Sequence, residues 1–137
     1  MENQLQLVTF EQAKKLKALG FDWPTHEAYR FEDGEPLGVF MCIDALNHNE
    51  FEDTISSPTV ALALKWCRDV KVIYCSAEFH GFGKYGKNPK YAAVYYIYKH
   101  GKEAATRFPA LEMLDTYEAA ESSLLDELLN VLETNKL

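Results

Sequence analysis

The sequence has little of what export, disulfide cross-linking or membrane insertion requires. Its 137 residues include only three cysteines, and this odd number, with no CxxC pair, argues against a disulfide framework or a zinc knuckle. No apolar run approaches the roughly 20 residues of a membrane-spanning helix, and the N-terminus lacks the basic region of a secretory signal. We therefore expect a soluble, cytoplasmic protein that buries Cys42, Cys67 and Cys75 as small apolar side chains.

Positive charge is also scarce, and it is unevenly placed. The net charge of −7 argues against a general polyanion binder, which needs a surplus of Lys and Arg. From Asp22 to Asp53 there are nine acidic residues against Arg30 alone, a balance of −8, whereas from Phe79 to Lys102 there are five lysines and no acid, a balance of +5. We interpret these as segments that lie near each other and partly neutralise, within one chain or across a dimer.

Local signals predict three helices. Thr9 and Gln12 have the spacing of a capping box, and Gly20 can take the left-handed conformation that ends a helix. Ser57 can cap a second helix, with Pro58 in its first turn. Apolar residues at helical spacing extend each segment. The predicted helices run from Thr9 to Leu19, from Ser57 to near Asp69, and from Asp115 or Thr116 to about Leu132.

Strand signals occur in two pairs. The polar turn 32–35, in which Gly34 supplies a positive φ, separates the first two strands as in a hairpin. The other two flank a glycine-rich loop and are rich in β-branched and aromatic residues. Asp44 to Asp53 is predicted to be a loop, and the segment before Leu114 is ambiguous because Pro109 breaks a long helix. The predicted strands are Ala28 to Phe31, Leu37 to Ile43, Val70 to Ala77 and Tyr91 to Tyr98.

These elements predict an α+β fold in the order α-β-β-α-β-β-α. We expect an antiparallel sheet of about four strands, formed by two hairpins, with three helices on one face. No linker or internal repeat interrupts the chain, so residues 1–137 are predicted to form a single domain.

The loop from His80 to Pro89 matches two phosphate-binding motifs, and we reject both. Gly81, Gly83 and Gly86 have the spacing of a dinucleotide fingerprint, and the same stretch reads as GxxxxGK ending at Lys87. Both motifs hold phosphate at the N-terminus of a following helix. Here Pro89 and an aromatic strand follow, so we predict a connection between two neighbouring strands and no nucleotide cofactor.

The same loop is the candidate binding surface, because its lysines alternate with aromatic residues as in sites that stack bases and follow phosphates. Single-stranded nucleic acid binding through residues 79–91 is thus the alternative function, although the acidic net charge does not favour it. The candidate binding residues are His80, Lys84, Tyr85, Lys87 and Lys90.

Catalytic and metal chemistry have weaker support. The four histidines, His26, His48, His80 and His100, are scattered without the spacing of a metal site, so no metal, cofactor or catalytic residue is predicted. The carboxylates of Glu50, Glu52 and Asp53 indicate a solvated loop. An enzyme is the third alternative, and it would need a pocket that gathers His80 and Tyr85 with Glu78 or Asp44.

Three segments of the sequence carry a resemblance: residues 19–23 (LGFDW), 57–68 (SPTVALALKWCR) and 116–121 (TYEAAE). Together they resemble a group of small proteins of unknown activity that bacterial phages and prophages encode. The matching residues are helix caps and core positions, so the resemblance implies no activity. We therefore expect a non-enzymatic accessory or interaction protein, self-associating as a homodimer or binding another protein through an exposed strand edge or an apolar helix face.

Overall fold

A computed structural model describes residues 5–82, 89–97, 106–109 and 114–134. Within these ranges the chain forms three α-helices and six strands, and every strand pairing is antiparallel. The predicted α+β class, the two hairpins and the order of the main elements are confirmed. The chain divides into two compact units, Met1–Ala63 and Leu64–Leu137, and the single domain expected from the sequence stays a prediction.

The elements are as follows in chain order, with a short 3-10 turn at His48–Glu50. They are α1 (Phe10–Ala18), β1 (Thr25–Glu32), β2 (Glu35–Leu46), β3 (Thr54–Ser56), α2 (Val60–Asp69), β4 (Tyr74–Phe82), β5 (Pro89–Ile97), β6 (Thr106–Pro109) and α3 (Tyr117–Glu133). The described strands form two antiparallel sheets, in the orders β2-β1-β3 and β4-β5-β6, with one predicted hairpin in each, where a single sheet was expected. The short strands β3 and β6, which carry no clear sequence signal, are additions to the predicted set.

Helix α1 begins at the predicted capping box. The Thr9 hydroxyl accepts a hydrogen bond from the Gln12 amide at 3.1 Å, and the Gln12 side chain accepts one from the Thr9 amide at 2.9 Å. At the other end Gly20 has φ +94°, and the Phe21 amide donates to the Leu16 carbonyl at 2.9 Å. Both ends of the helix are thus fixed by local hydrogen bonds, as predicted.

The first hairpin turns at Asp33 and Gly34, whose φ angles are +52° and +80°. Two positive φ values in a two-residue connection match the right-handed twist of the flanking strands, which is why Asp-Gly is favoured there. The hairpin prediction is confirmed, but β2 continues to Leu46. Residues 44–46 therefore belong to a strand and not to the predicted loop.

The rest of the predicted loop also has defined structure. His48 is buried, its Nε2 donates to the Thr25 carbonyl at 3.1 Å, and its amide donates to the Ser56 hydroxyl at 3.1 Å. The Asn49 side chain accepts from the Ser56 amide at 2.9 Å. His48 and Asn49 therefore hold a packed turn and β3 together, whereas the carboxylates of Glu50, Glu52 and Asp53 lie in exposed residues, as the sequence predicted.

The cap of helix α2 lies two residues beyond Ser57, the position at which the sequence predicted it. The Thr59 hydroxyl accepts from the Leu62 amide at 3.1 Å, so Thr59 is the capping residue. The Ser57 hydroxyl is buried and has no hydrogen-bond partner among the described residues. Pro58 precedes the helix, and its carbonyl accepts from the Val8 amide at 3.0 Å.

The strand predicted from Val70 begins instead at Tyr74. The Val70 amide donates to the Trp66 carbonyl at 2.8 Å and the Ile73 amide to the Cys67 carbonyl at 3.2 Å. Residues 70–73 thus close the end of α2, with Val72 at φ +58°. The alternating residues from Val70 predicted a strand, but the hydrogen bonds of residues 70–73 to the last turns of α2 prevent strand pairing there.

In the second unit, α3 packs on β4 and β5. Thr116 caps the helix, because its hydroxyl accepts from the Ala119 amide at 3.0 Å. Its apolar residues, from Ala120 to Leu132, are buried, which is the hydrophobic stripe that the sequence predicted. None of the helices in the described ranges has the length and hydropathy of a membrane span.

Candidate interaction surface

The most distinctive surface of the first unit is the free edge of its sheet. β2 lies at one end of the strand order β2-β1-β3 and pairs only with β1 among the described residues. It is 12 residues long. Proteins usually protect an edge of this length with lysines or a covering element, because its backbone groups are a template for another strand. No lysine occurs in β2.

The side chains of β2 make this edge apolar as well as long. Successive residues of a strand point to opposite faces. Val39 and Met41 lie in regular register with β1 and share one face, and both are exposed, as are Leu37 and Ile43 on either side of them; Met41 is 75% and Ile43 97% exposed. We call these four residues the β2 stripe. Neighbouring exposed large aliphatic side chains are typical of a contact surface.

A local insertion in β2 displays the end of the stripe. Glu27 lies opposite Met41, whereas Thr25 lies opposite Leu46. Residues 42–45 therefore oppose His26 alone, whose Nδ1 donates to the Cys42 carbonyl at 3.2 Å. Such a bulge re-aims side chains, and here it leaves Ile43 almost wholly in solvent.

An apolar groove of about 510 Å³ lies beside the stripe. The N-terminal segment forms its other wall, because Leu7 bridges to Thr59 and the Val60 amide donates to the Gln6 carbonyl at 2.8 Å. The Tyr29 hydroxyl fixes the same segment by donating to the Val8 carbonyl at 2.8 Å. The residues that line the groove are Leu5, Leu7, Glu27, Val39, Phe40, Met41 and Thr59.

Glu27 is the acidic residue of this lining. Its side chain is half-buried, and no cation pairs with it among the described residues. The other face of β2 is packed, since the Phe40 ring meets the His48 ring edge-on at 5.6 Å and the Arg30 guanidinium lies 4.8 Å from the Phe40 ring. The groove is therefore a built apolar surface with one unpaired carboxylate.

The binding residues predicted in the glycine-rich loop are only partly covered by the structure. Lys84, Tyr85 and Lys87 lie outside the described residues, as does the side chain of His80, whose backbone belongs to β4. Lys90 lies in β5 and forms an ion pair with Asp115. A lysine neutralised in this way is less available to phosphate than the sequence indicated.

The element that follows the loop agrees with our rejection of the phosphate motifs. β5 begins at Pro89 and pairs antiparallel with β4, with Phe82 opposite Pro89. The predicted connection between neighbouring strands is confirmed. Tyr91, expected among the stacking aromatics, has its ring centroid 5.8 Å from that of Phe79 and 5.9 Å from that of Tyr117.

The buried thiols do not form a nucleophilic site. Burial, with a smaller contribution from Cys75, raises the pKa of Cys67 to about 12. Burial also raises the pKa of Cys75, although the Arg68 guanidinium opposes that shift. Because the thiolate is the reactive species, both groups are inert near neutral pH. The burial predicted for these two is confirmed, whereas Cys42 is half-exposed on β2.

In the second unit, Tyr117 and Glu121 have pKa values shifted from their usual range. Burial, reinforced by Glu118, raises the pKa of Glu121, and burial, reinforced by Glu121, raises the pKa of Tyr117. Within the described part of the chain, no group of three or more His, Cys, Asp or Glu side chains could hold a metal ion. The pocket around His80 and Tyr85 falls on side chains outside the described residues and stays a prediction.

Of the two predicted contact surfaces, an exposed strand edge and an apolar helix face, the strand edge is the better supported within the described residues. The apolar residues of α3 are buried from Ala120 to Leu132, as are Leu16 of α1 and Leu64 and Trp66 of α2. By contrast, β2 contains five of the exposed large apolar residues. Sequence reasoning missed the groove because Leu5, Leu7 and Glu27 meet β2 only through tertiary contacts.

Comparison with known proteins adds no relative: no family model, curated protein or solved structure matches this chain.

Proposed function

We propose that the protein is a non-enzymatic interaction module that self-associates through β2. The observation that carries this proposal is the exposed β2 stripe on an edge strand that contains no lysine. A second copy can add its own β2 antiparallel to the first, and such a pairing is self-complementary about a two-fold axis. The β2-β1-β3 sheet of one copy and that of the other then form one six-stranded sheet.

Burial of the β2 stripe would contribute to this arrangement, at about 1.5–3 kcal/mol for each aliphatic side chain that becomes fully buried. Edge pairing by itself covers only part of the stripe. Pairing also satisfies backbone groups along the free edge of β2. Encoding by a phage or prophage, which the sequence resemblance indicates, remains part of the proposal.

Self-association is tested by light scattering after size exclusion, over a range of protein concentrations. We expect the wild type to reach twice the chain mass of 15.7 kDa. Val39→Lys should remain a monomer, because it places a strongly hydrated charge in the interface.

Val70→Lys is the matched control, since Val70 and Val39 are both 47% exposed and gain the same charge. It should dimerise like the wild type. Thermal unfolding of both variants confirms that they are folded, and Ile43→Lys repeats the test at a side chain that is 97% exposed. A wild type that stays monomeric at the highest concentration would rule out the proposal.

A further inference from the structure

The edge of β2 alone is too small for a stable dimer. Its 12 residues, at about 3.4 Å each, span about 40 Å, and a sheet with its side chains is about 10 Å thick, so the edge presents on the order of 400 Å² per copy. Stable interfaces bury about 800 Å² per partner. A second copy must therefore also cover an adjoining face, and the groove beside β2 lies on that face.

The first unit carries both a cavity and a group to fill it. Val39 and Met41 line the groove, and Ile43, two residues further along the same strand, is almost wholly exposed. In a two-fold interface each copy must provide both halves of every contact. A groove and an exposed apolar side chain on the same strand can meet this requirement.

We propose, on the basis of the self-association proposed above, that the groove of each copy receives Ile43 of the other. The two β2 strands pair antiparallel with Met41 on the two-fold axis. In this register Ile43 lies opposite Val39 of the second copy, and directly opposed residues have Cβ atoms about 5 Å apart. The bulge at residues 42–45 frees Ile43 from the regular alternation of β2 and leaves it 97% exposed, so its side chain is available to the second copy.

The carboxylate of Glu27 affects the free energy of association in a direction that depends on what occupies the groove. It lies opposite Met41 and lines the groove, so an isoleucine placed there removes the carboxylate from water. That desolvation opposes association. A basic partner in the groove would instead be attracted by the same carboxylate.

The register is tested by single cysteines in a Cys42→Ser background. Met41→Cys should form a symmetric disulfide between copies under mild oxidation, because residues on the axis face each other. Val39→Cys mixed with Ile43→Cys should form a mixed disulfide faster than either forms alone. Val70→Cys, which lies off β2, is the control for random collision.

The outcomes separate this inference from the proposed function. Dimers in which Val39→Cys cross-links to itself fastest would place Val39 on the axis and Ile43 opposite Glu35, which overturns the inference and leaves self-association intact. A monomeric wild type overturns both.

The occupant of the groove is tested by Glu27→Gln, with Glu52→Gln as a control that removes the same charge outside the groove. We expect Glu27→Gln to lower the dimer dissociation constant about threefold to tenfold beyond the control, because a neutral amide is easier to desolvate. Weaker association would point to a cationic occupant, and an effect equal to the control would mean an uncovered groove. Either result overturns the inference.

Discussion

Ionisation of the Cys67 thiol is expected to lower the free energy of unfolding at alkaline pH. Its pKa is about 12 in the folded chain against 9.0 for an unperturbed thiol, chiefly because of burial. Between these values the unfolded chain loses a proton that the folded chain keeps. Stability from this group is thus complete below pH 9 and is lost as the pH rises toward 12.

We therefore expect the free energy of unfolding, measured by urea titration, to fall as the pH rises above about 9. Other groups also titrate in this range, so the slope is compared with that of Cys67→Ala. The variant is less stable at every pH because of the cavity it creates, but its decline should be shallower. Equal slopes would contradict the assignment of this loss to Cys67.

At the scale of single elements, Val72 adopts a conformation that its side chain disfavours. Its φ is +58°, and an L-residue there costs roughly 1–2 kcal/mol. Glycine avoids this strain, and Val72 is 59% exposed, so little burial is lost. We expect Val72→Gly to raise the free energy of unfolding by about 1 kcal/mol in urea titration.

Val70→Gly is the comparison for this change, because Val70 is also exposed and has no positive φ. That substitution should lower stability by about 0.5–1 kcal/mol, through the larger entropy that glycine gives the unfolded chain. Destabilisation of similar size by both variants would show that residue 72 is not strained.

Elements defined by local chemistry are the ones that the sequence predicts well. The capping box at Thr9 and the Asp-Gly turn at residue 33 specify their own hydrogen bonds or φ values within four residues. β3 has only three residues and depends on His48 and Asn49 from the preceding turn. β3 therefore depends on tertiary contacts, which the hydrophobic periodicity of the sequence does not indicate.

At the scale of the whole molecule, the candidate surface was only partly predictable for the same reason. The run from Leu37 to Ile43 is apolar on both faces, which predicts a strand but not its position in a sheet. Whether such a strand is central or at an edge depends on which strands pair with it. The exposure of the β2 stripe follows from the order β2-β1-β3, and a motif search cannot read that order.

Self-association through β2 and binding to nucleic acid should depend on salt in opposite directions, because the charges involved differ. The first unit contains the acidic segment 22–53, with a balance of −8, so two copies joined at β2 repel each other. Screening of that repulsion should tighten the dimer several-fold as salt is raised from about 50 mM to about 500 mM, since the Debye length shortens. Sedimentation velocity at each salt concentration measures this change. Nucleic acid binding would weaken steeply over the same range. A dimer that dissociates on adding salt would instead be held by opposite charges, with the acidic segment of one copy facing the basic segment 79–102 of the other.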